Sequence, residues 1–384
     1  MADFVEKSSQ GWLSRIMESI KGVLFGLVLV AAAFPLLWVN EGCAVKIAKG
    51  LAQGRGSVVM VAHTPVVASN HGKLVHLQGK ATTTAGANDT LMAVKAPGAI
   101  KLTRSVEMYQ WVEHTTTKKE KKVGGAEETT TEYSYTKEWS SAANNSKVFK
   151  VHVKDGQSTD NPAMAYQGES FAATDVTVGA FSLTPGLVSD ISGDTPHYIT
   201  VVPPGLTGAR VEAGGLYISS RFGSASSPQV GDYRIKWSKT EPGDVTIIAR
   251  QNGNSLDDWP TSQGTTIGML QKGNATPDQM FTSAEKGNAT RTWFCRLGGF
   301  LMMMIGLTMI FKPLSTVADV VPLIGGLVGM GTSFVSFVLA APLSLLTIAL
   351  AWVFYRPLIG IPLLLLAVGV LVGGFMLARK RKTA

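Results

Sequence analysis

Charge is scarce in this sequence, and the scarcity is uneven. Only 16% of the 384 residues are Asp, Glu, Lys or Arg, whereas soluble domains run nearer a quarter. From Leu297 to Ala378 the charged residues are Lys312, Asp319 and Arg356, and Val320 to Tyr355 carries none. A water-borne helix alternates polar and apolar faces, so this tract excludes an ordinary soluble helical domain. At about 20 residues per bilayer crossing, it holds room for several spans. Cysteine is nearly absent too: Cys43 and Cys295 are the whole complement, which excludes a disulfide-dense scaffold. The nucleophile elbow G-x-S-x-G and the phosphate-binding P-loop are both missing.

Scattered titratable residues do not fill that gap. The six histidines (His63, His71, His76, His114, His152, His197) lie far apart, and the five-residue offset of His71 and His76 points them to opposite faces of a strand. Glu107 and Glu113 share one strand face with Tyr109 and Trp111. Two carboxylates so placed could do acid–base work, but such pairs are far more often a solvated or salt-bridged edge, and Arg104 and Lys101 are at hand. The chain therefore reads as non-enzymatic, with no catalytic, metal-binding or cofactor-binding residues and no cofactor.

The formal net charge of +8 does not point to nucleic acid. Residues 40–293 hold 25 basic and 23 acidic side chains, leaving most of the excess in or beside the apolar segments. That is the distribution of topology determinants and lipid-headgroup contacts, not of a phosphate-binding stripe.

What is present is a membrane pattern around a β-prone middle. Gly22 to Val39 is an uncharged run following Arg15 and Lys21, and it continues past Ala31-Ala32-Ala33 to Trp38. It reads as an uncleaved anchor, with a cleaved signal peptide as the rival. Before it, residues 1–21 place Trp12, Leu13, Ile16, Met17 and Ile20 at helical spacing, which suits a short amphipathic helix on a cytoplasmic membrane surface. A frayed polar leader is the alternative. C-terminal helices are expected near 293–311, 332–354 and 357–378, with residues 314–331 interfacial or re-entrant. Trp12, Trp38, Trp293, Trp352, Tyr355 and Arg356 fall where interfacial anchors belong. The basic tail 379–384, with Arg379, Lys380, Arg381 and Lys382, marks the cytoplasmic side. Four spans then put both termini there and residues 40–292 in the periplasm or lumen. Gly22 and Gly26, Gly325 and Gly329, and Gly369 and Gly373 have the G-x-x-x-G spacing that lets helices approach closely. They favour a packed bundle and a homo-oligomer, with membrane lipids and other membrane proteins as partners. Cys43 and Cys295 flank membrane boundaries; one disulfide between them and two free interfacial thiols are both open.

The fold class expected is thus membrane helices plus a large β-rich (α+β) extracytoplasmic domain. Ile100–Thr117 and Glu128–Ser141 around Lys118–Gly125 predict a long hairpin rich in Thr, Tyr, Val and Trp. Asp232–Ser238 and Val245–Gln251 around Glu241-Pro242-Gly243-Asp244 predict a second. Leu74–Gln78, Tyr198–Val202 and Leu216–Ser220 read as further strands and Pro162–Ala173 as a short helix. The two hairpins hint at a duplicated unit.

Several strings resemble one family along nearly the whole chain. They are Asn40-Glu41-Gly42, Gly72-Lys73-Leu74-Val75-His76 and Val106-Glu107-Met108-Tyr109-Gln110-Trp111-Val112-Glu113. Next come Tyr133-Ser134-Tyr135 with Glu138-Trp139, Asn145-Ser146-Lys147 with Phe149, Val230-Gly231-Asp232 with Arg234, and Ile248-Ala249-Arg250-Gln251. Thr292-Trp293 and Trp352-Val353-Phe354-Tyr355-Arg356-Pro357-Leu358 complete the set. By these the chain resembles the transmembrane protein 43 (LUMA) family. The resemblance implies one N-terminal span, a large lumenal domain and C-terminal spans. It also implies a self-associating scaffold of the endoplasmic reticulum and inner nuclear membrane, linked in animals to lamins and emerin and without established catalytic residues. The Ala/Gly-rich composition, the Lys118–Lys122 insertion and the basic tail depart from the animal pattern. They point to a bacterial member in the inner membrane.

Overall fold

Three long helices carry the apolar tracts. The computed structural model describes residues 3–219 and 223–362; in it α1 runs Trp12–Ser57, α2 Pro277–Ala318 and α3 Pro322–Tyr355. Each is long and apolar enough to cross a membrane. The start of α2 is set by a capping box. The backbone N–H of Gln279 donates to Thr276 Oγ1 (3.2 Å) and that of Thr276 to Gln279 Oε1 (2.9 Å), with Pro277 in the first turn. Between α2 and α3 lies a three-residue break, and Pro322 opens the new helix, where its missing N–H costs nothing. α1 and α2 run antiparallel, as Trp12 bonds to Thr316 and Asn40 to Thr292. Ala33, Leu37, Met303, Leu307 and Ala340 form the core between the three helices.

The remainder is β-rich, in two main sheets joined at a corner. The eight-stranded sheet contains β1 (Phe4–Gln10), β3 (Lys101–Lys121), β4 (Glu127–Ser140) and β5 (Tyr233–Thr240). β3 and β4 pair antiparallel from Met108↔Ser140 to Lys121↔Glu127. β1 extends the hairpin outward, Phe4↔Tyr133 to Gln10↔Glu127, and β5 lies along the base of β3, Thr240↔Lys101 to Tyr233↔Met108. Leu102, Val106 and Met108 alternate inward from β3 to meet Leu216, Ile235 and Trp237.

In the seven-stranded sheet, β2 (Leu74–Thr82) and β6 (Gly243–Asn252) pair with each other. Three short strands, Thr177–Val178, Phe181–Leu183 and Ser255–Asp257, link β2 back to β6. These five strands close into a ring that buries Val75, Leu77, Val178, Phe181, Val245 and Ile247. Leu74 and Ile248 point outward from the ring instead, where Leu51 of α1 and Phe281 of α2 cover them.

Several expectations change at this level. The long hairpin is present, but its strands continue through the lysine run, with Lys118 and Lys119 paired to Thr130 and Thr129. Cross-strand glutamates keep that run ordered: Lys119 reaches Glu127 at 3.3 Å and Lys122 reaches Glu128 at 3.1 Å. The second hairpin is a corner. β5 and β6 belong to different sheets, so Glu241 and Pro242 carry the chain between them, and a duplicated unit is not shown. Pro162–Ala173 is not helical; Glu169–Ala172 is a strand on β3. Tyr198–Val202 is irregular, the strand ending one residue earlier at Asp194–His197.

Residues 1–21 are not a separate surface helix either. Phe4–Gln10 is a strand on β4, and α1 begins at Trp12 and runs unbroken beyond Asn40 to Ser57. Residues 314–331 are the end of α2, the break and the start of α3. Residues 357–362 are helical again; the rest of the expected 357–378 helix, Gly369, Gly373 and Arg379 to Lys382 lie outside the described residues.

Candidate functional site

Two ionic ties, one near each end of the apolar bundle, are the most elaborated polar chemistry in the helices. At the end nearer the ring, Glu41 of α1 has its side chain 2% exposed. Arg296 of α2 grips it bidentately, Nε to Oε1 at 2.7 Å and Nη2 to Oε2 at 2.8 Å, and Trp352 Nε1 of α3 donates to Oε2 at 2.7 Å. A fork-on-carboxylate pair is the geometry in which arginine binds most strongly. The guanidinium also stacks over Trp293 (4.7 Å) and Trp352 (5.5 Å). Next to it, a Cβ on Gly42 would stand 2.7 Å from the Tyr355 ring, so glycine is what admits the aromatic. Trp38 packs against Phe354 and Tyr355 at 5.9 and 6.0 Å. Two strings far apart in sequence, Asn40-Glu41-Gly42 and Trp352–Arg356, thereby meet in one place.

At the other end, Asp319 in the α2–α3 break has a side chain 2% exposed and is held by Arg15 and Lys121, each at 2.7 Å. Arg15 also reaches Glu127 at 3.2 Å and donates to the carbonyl of Gly125 at 2.6 Å. Trp12 Nε1 donates to Thr316 O (3.0 Å) and the Gly124 N–H to Val320 O (3.0 Å). The tip of the β3–β4 hairpin is thus clasped to the start of α1 and to the α2–α3 break.

Between the ties, the helices touch backbone to backbone. A Cβ on Gly26 would stand 2.6 Å from Gly306 O, and one on Gly306 2.7 Å from Gly26 O. Gly22 has only ordinary contact, Met309 Cε at 3.7 Å, and Gly329 faces Ser315 Cβ at 3.9 Å. Gly325 packs on Asp319. Gly299 and Gly306, seven residues apart on α2, lie on the face that meets α1, against Leu37 and Gly26; their spacing within Leu297–Phe311 was the available signal. Arg356 ends α3 as its C-cap. Cys43 and Cys295 are free thiols, both half-buried.

The β region holds polar clusters that are satisfied internally. Glu107 pairs with Arg234, and Glu113 accepts from Tyr135 Oη and the Lys150 N–H, so the two carboxylates flagged on β3 are separately engaged. Burial and the Glu113 hydrogen bond push the Tyr135 phenol up to about 12. Hydrogen bonds from Thr83, Thr84 and the Ala85 N–H hold Asp175 well below the usual carboxylate range. His76 contacts Ala275 O and His71 the Gly253 N–H, on separate partners. Among the described residues no group of three His, Cys, Asp or Glu is placed to hold a metal ion.

Comparison with known proteins gives a consistent result. The family model described as Transmembrane protein 43 matches residues 108–357. The human protein named Transmembrane protein 43 is 34% identical, the alignment covering 99% of this chain and 95% of that protein. The mouse protein of that name is also 34% identical, over 91% and 88% of the two chains. The Drosophila melanogaster homolog is 28% identical over 89% and 91%. No solved structure matches the chain.

Proposed function

This chain belongs to the transmembrane protein 43 family, and from that premise we propose a non-enzymatic, self-associating membrane scaffold. Its helices anchor it in lipid, and its β region offers surfaces to other membrane proteins or to lipid headgroups. One observation carries the reading: the buried acids of the bundle are spent on internal ties. Glu41 is neutralised by Arg296 and Asp319 by Arg15 and Lys121. A transport pathway needs intramembrane charges that are free to exchange partners, whereas charges locked in pairs suit a fixed framework. The resident bilayer in this proposal is a bacterial inner membrane, on the departures from the animal sequence pattern.

Sizing in mild detergent, with cross-linking in the native membrane, tests the scaffold reading. Species larger than one chain with reproducible neighbours are expected, and a strictly monomeric protein without neighbours would overturn it. A channel is the second reading, favoured by Arg356, a charge at the end of the uncharged helix α3. Selective ion flux from reconstituted protein, abolished in Arg356→Ala, would establish it instead. Under the scaffold reading that substitution changes assembly or yield.

A further inference from the structure

Beyond the apolar part of the bundle, α1 and α2 continue as two stems packed on the ring, and a crevice of about 280 Å³ opens between them. Ile47 and Leu51 of α1, Ile267 and Met269 of the β region and Ala284 of α2 line it with apolar surface. Thr266, Asn288 and Arg291 supply its polar groups. The space exists because α2 carries small residues here: a Cβ on Gly287 would find nothing within 4 Å. A concave apolar surface with a few polar groups is the usual form of a small-molecule site.

Helical rise gives the height of the crevice relative to lipid. Trp293 is 67% exposed and stands where α2 turns apolar, the place of an interfacial aromatic. At 1.5 Å per residue, Arg291 lies about 3 Å beyond that ring and Asn288 about 8 Å. The headgroup layer adds about 5–8 Å to each side of the hydrocarbon core, so both residues stand at headgroup level. The same face of α2 then continues into the membrane. Ala284, Gly287, Arg291, Phe294, Leu301 and Ile305 follow one another at intervals of three, four or seven residues, which is a single stripe on a helix. Phe294, Leu301 and Ile305 are exposed, so the crevice opens directly onto a flank that meets acyl chains.

Arg291 is not spent elsewhere. It makes no hydrogen bond or ion pair with a described residue, whereas Arg296 is held by Glu41 and Arg55 by Glu285. Asn288 donates Nδ2 to Ala44 O at 3.0 Å, which leaves its Oδ1 to accept from a hydroxyl.

We propose that this crevice binds one anionic phospholipid of the leaflet nearest the ring. Arg291 takes the phosphate, Asn288 and Thr266 take headgroup hydroxyls, and the acyl chains run down the stripe from Phe294. Guanidinium pairs with phosphate through two parallel N–H donors. No carboxylate of the described residues answers this one, so a lipid of net negative charge is favoured over a zwitterion. A free hydrated anion gains nothing from the apolar lining, whereas the carbon skeleton of headgroup and glycerol covers it. That lining and the exposed flank below it commit the occupant to lipid. The proposal names a headgroup class for the membrane-scaffold reading and rests on its lipid embedding, not on self-association. A monomer that selects anionic lipid keeps this inference and loses the scaffold; an oligomer without that selection does the reverse.

The test is lipid retention by the full chain in mild detergent, read by native mass spectrometry. Palmitoyl-oleoyl phosphatidylglycerol is added in one arm, the phosphatidylcholine with the same chains in a second, and glycerol phosphate as a competitor in a third. The parent should retain phosphatidylglycerol over phosphatidylcholine by about fivefold, the scale of one basic residue at an anionic lipid surface. Arg291→Ala should remove the preference and Arg291→Lys should keep most of it. Gly287→Leu puts a side chain into open space and favours the helix, so it should block retention while melting no lower than the parent. Lys286→Ala, on α2 but off this stripe, should behave as the parent. An undiminished preference in Arg291→Ala, equal losses in Lys286→Ala and Arg291→Ala, or full retention in Gly287→Leu would each overturn the site. Displacement of the lipid by an equal concentration of glycerol phosphate would overturn the assignment to lipid in favour of a free anion.

Discussion

A buried carboxylate is destabilising unless its charge is answered, and Glu41 receives three donors from two helices. Removing it would strand the guanidinium of Arg296, a loss on the order of 3 kcal/mol for a broken buried pair. Glu41→Ala should therefore lower the melting temperature in detergent clearly. The double variant Glu41→Met with Arg296→Met should lose less than the two single effects added, because no charge is left alone. A wild-type melt for Glu41→Ala would show that the pair contributes nothing. Tyr135 supplies a pH dependence. Its folded value of about 12 lies above the ordinary value of 10, so its contribution is complete below pH 10 and is lost as pH rises toward 12. Tyrosinate absorbance should show one phenol ionising late, and Tyr135→Phe should remove that late step. In the sequence, Glu41 is the first charge after the apolar run Gly22–Val39, but nothing there marks Arg296 as its partner. Their contact joins two helices, and local spacing rules describe neighbours within one.

Helix pairing shows where spacing rules reach and where they stop. Gly26 belongs to a G-x-x-x-G pair legible in the chain, yet its counterpart is Gly306, and Gly22 contributes no close approach. Bulk at Gly306 meets the backbone carbonyl of Gly26, so Gly306→Val should destabilise by about 2 kcal/mol, the usual scale of overpacking. Gly329→Ala, with its nearest neighbour at 3.9 Å, should melt like the parent. Equal effects at both positions would contradict this packing. The hairpin clasp makes a second prediction at this scale. Asp319→Asn leaves Arg15 and Lys121 without their common anion, and trypsin should then cut the Lys118–Lys122 run severalfold faster in detergent. The long hairpin itself was legible because Thr, Tyr and Val recur on both arms. Its true length was not, since lysine disfavours strands and only cross-strand glutamates reveal why it is tolerated. Likewise the alternation of Leu74-Val75-His76-Leu77 is masked, because one face fills the ring and the other meets the helices.

Across the whole molecule, composition alone separated lipid-compatible helices from a water-compatible β region, because hydrocarbon solvation is a bulk property of a stretch of chain. How those two parts meet depends instead on long-range pairing. The join of Phe4–Gln10 to Glu127–Tyr133 ties the N-terminal segment to the β region, a contact that counting charges does not reveal. Such pairing also orders events during synthesis. The leading strand and all of α1 leave the ribosome before the hairpin exists, so that strand waits with its hydrogen bonds unmade until β4 arrives. Contacts this distant in sequence form late and slowly. A bulky fusion ahead of Met1 would therefore burden the closing of this one sheet edge on β4, and not the pairing of strands made from later residues.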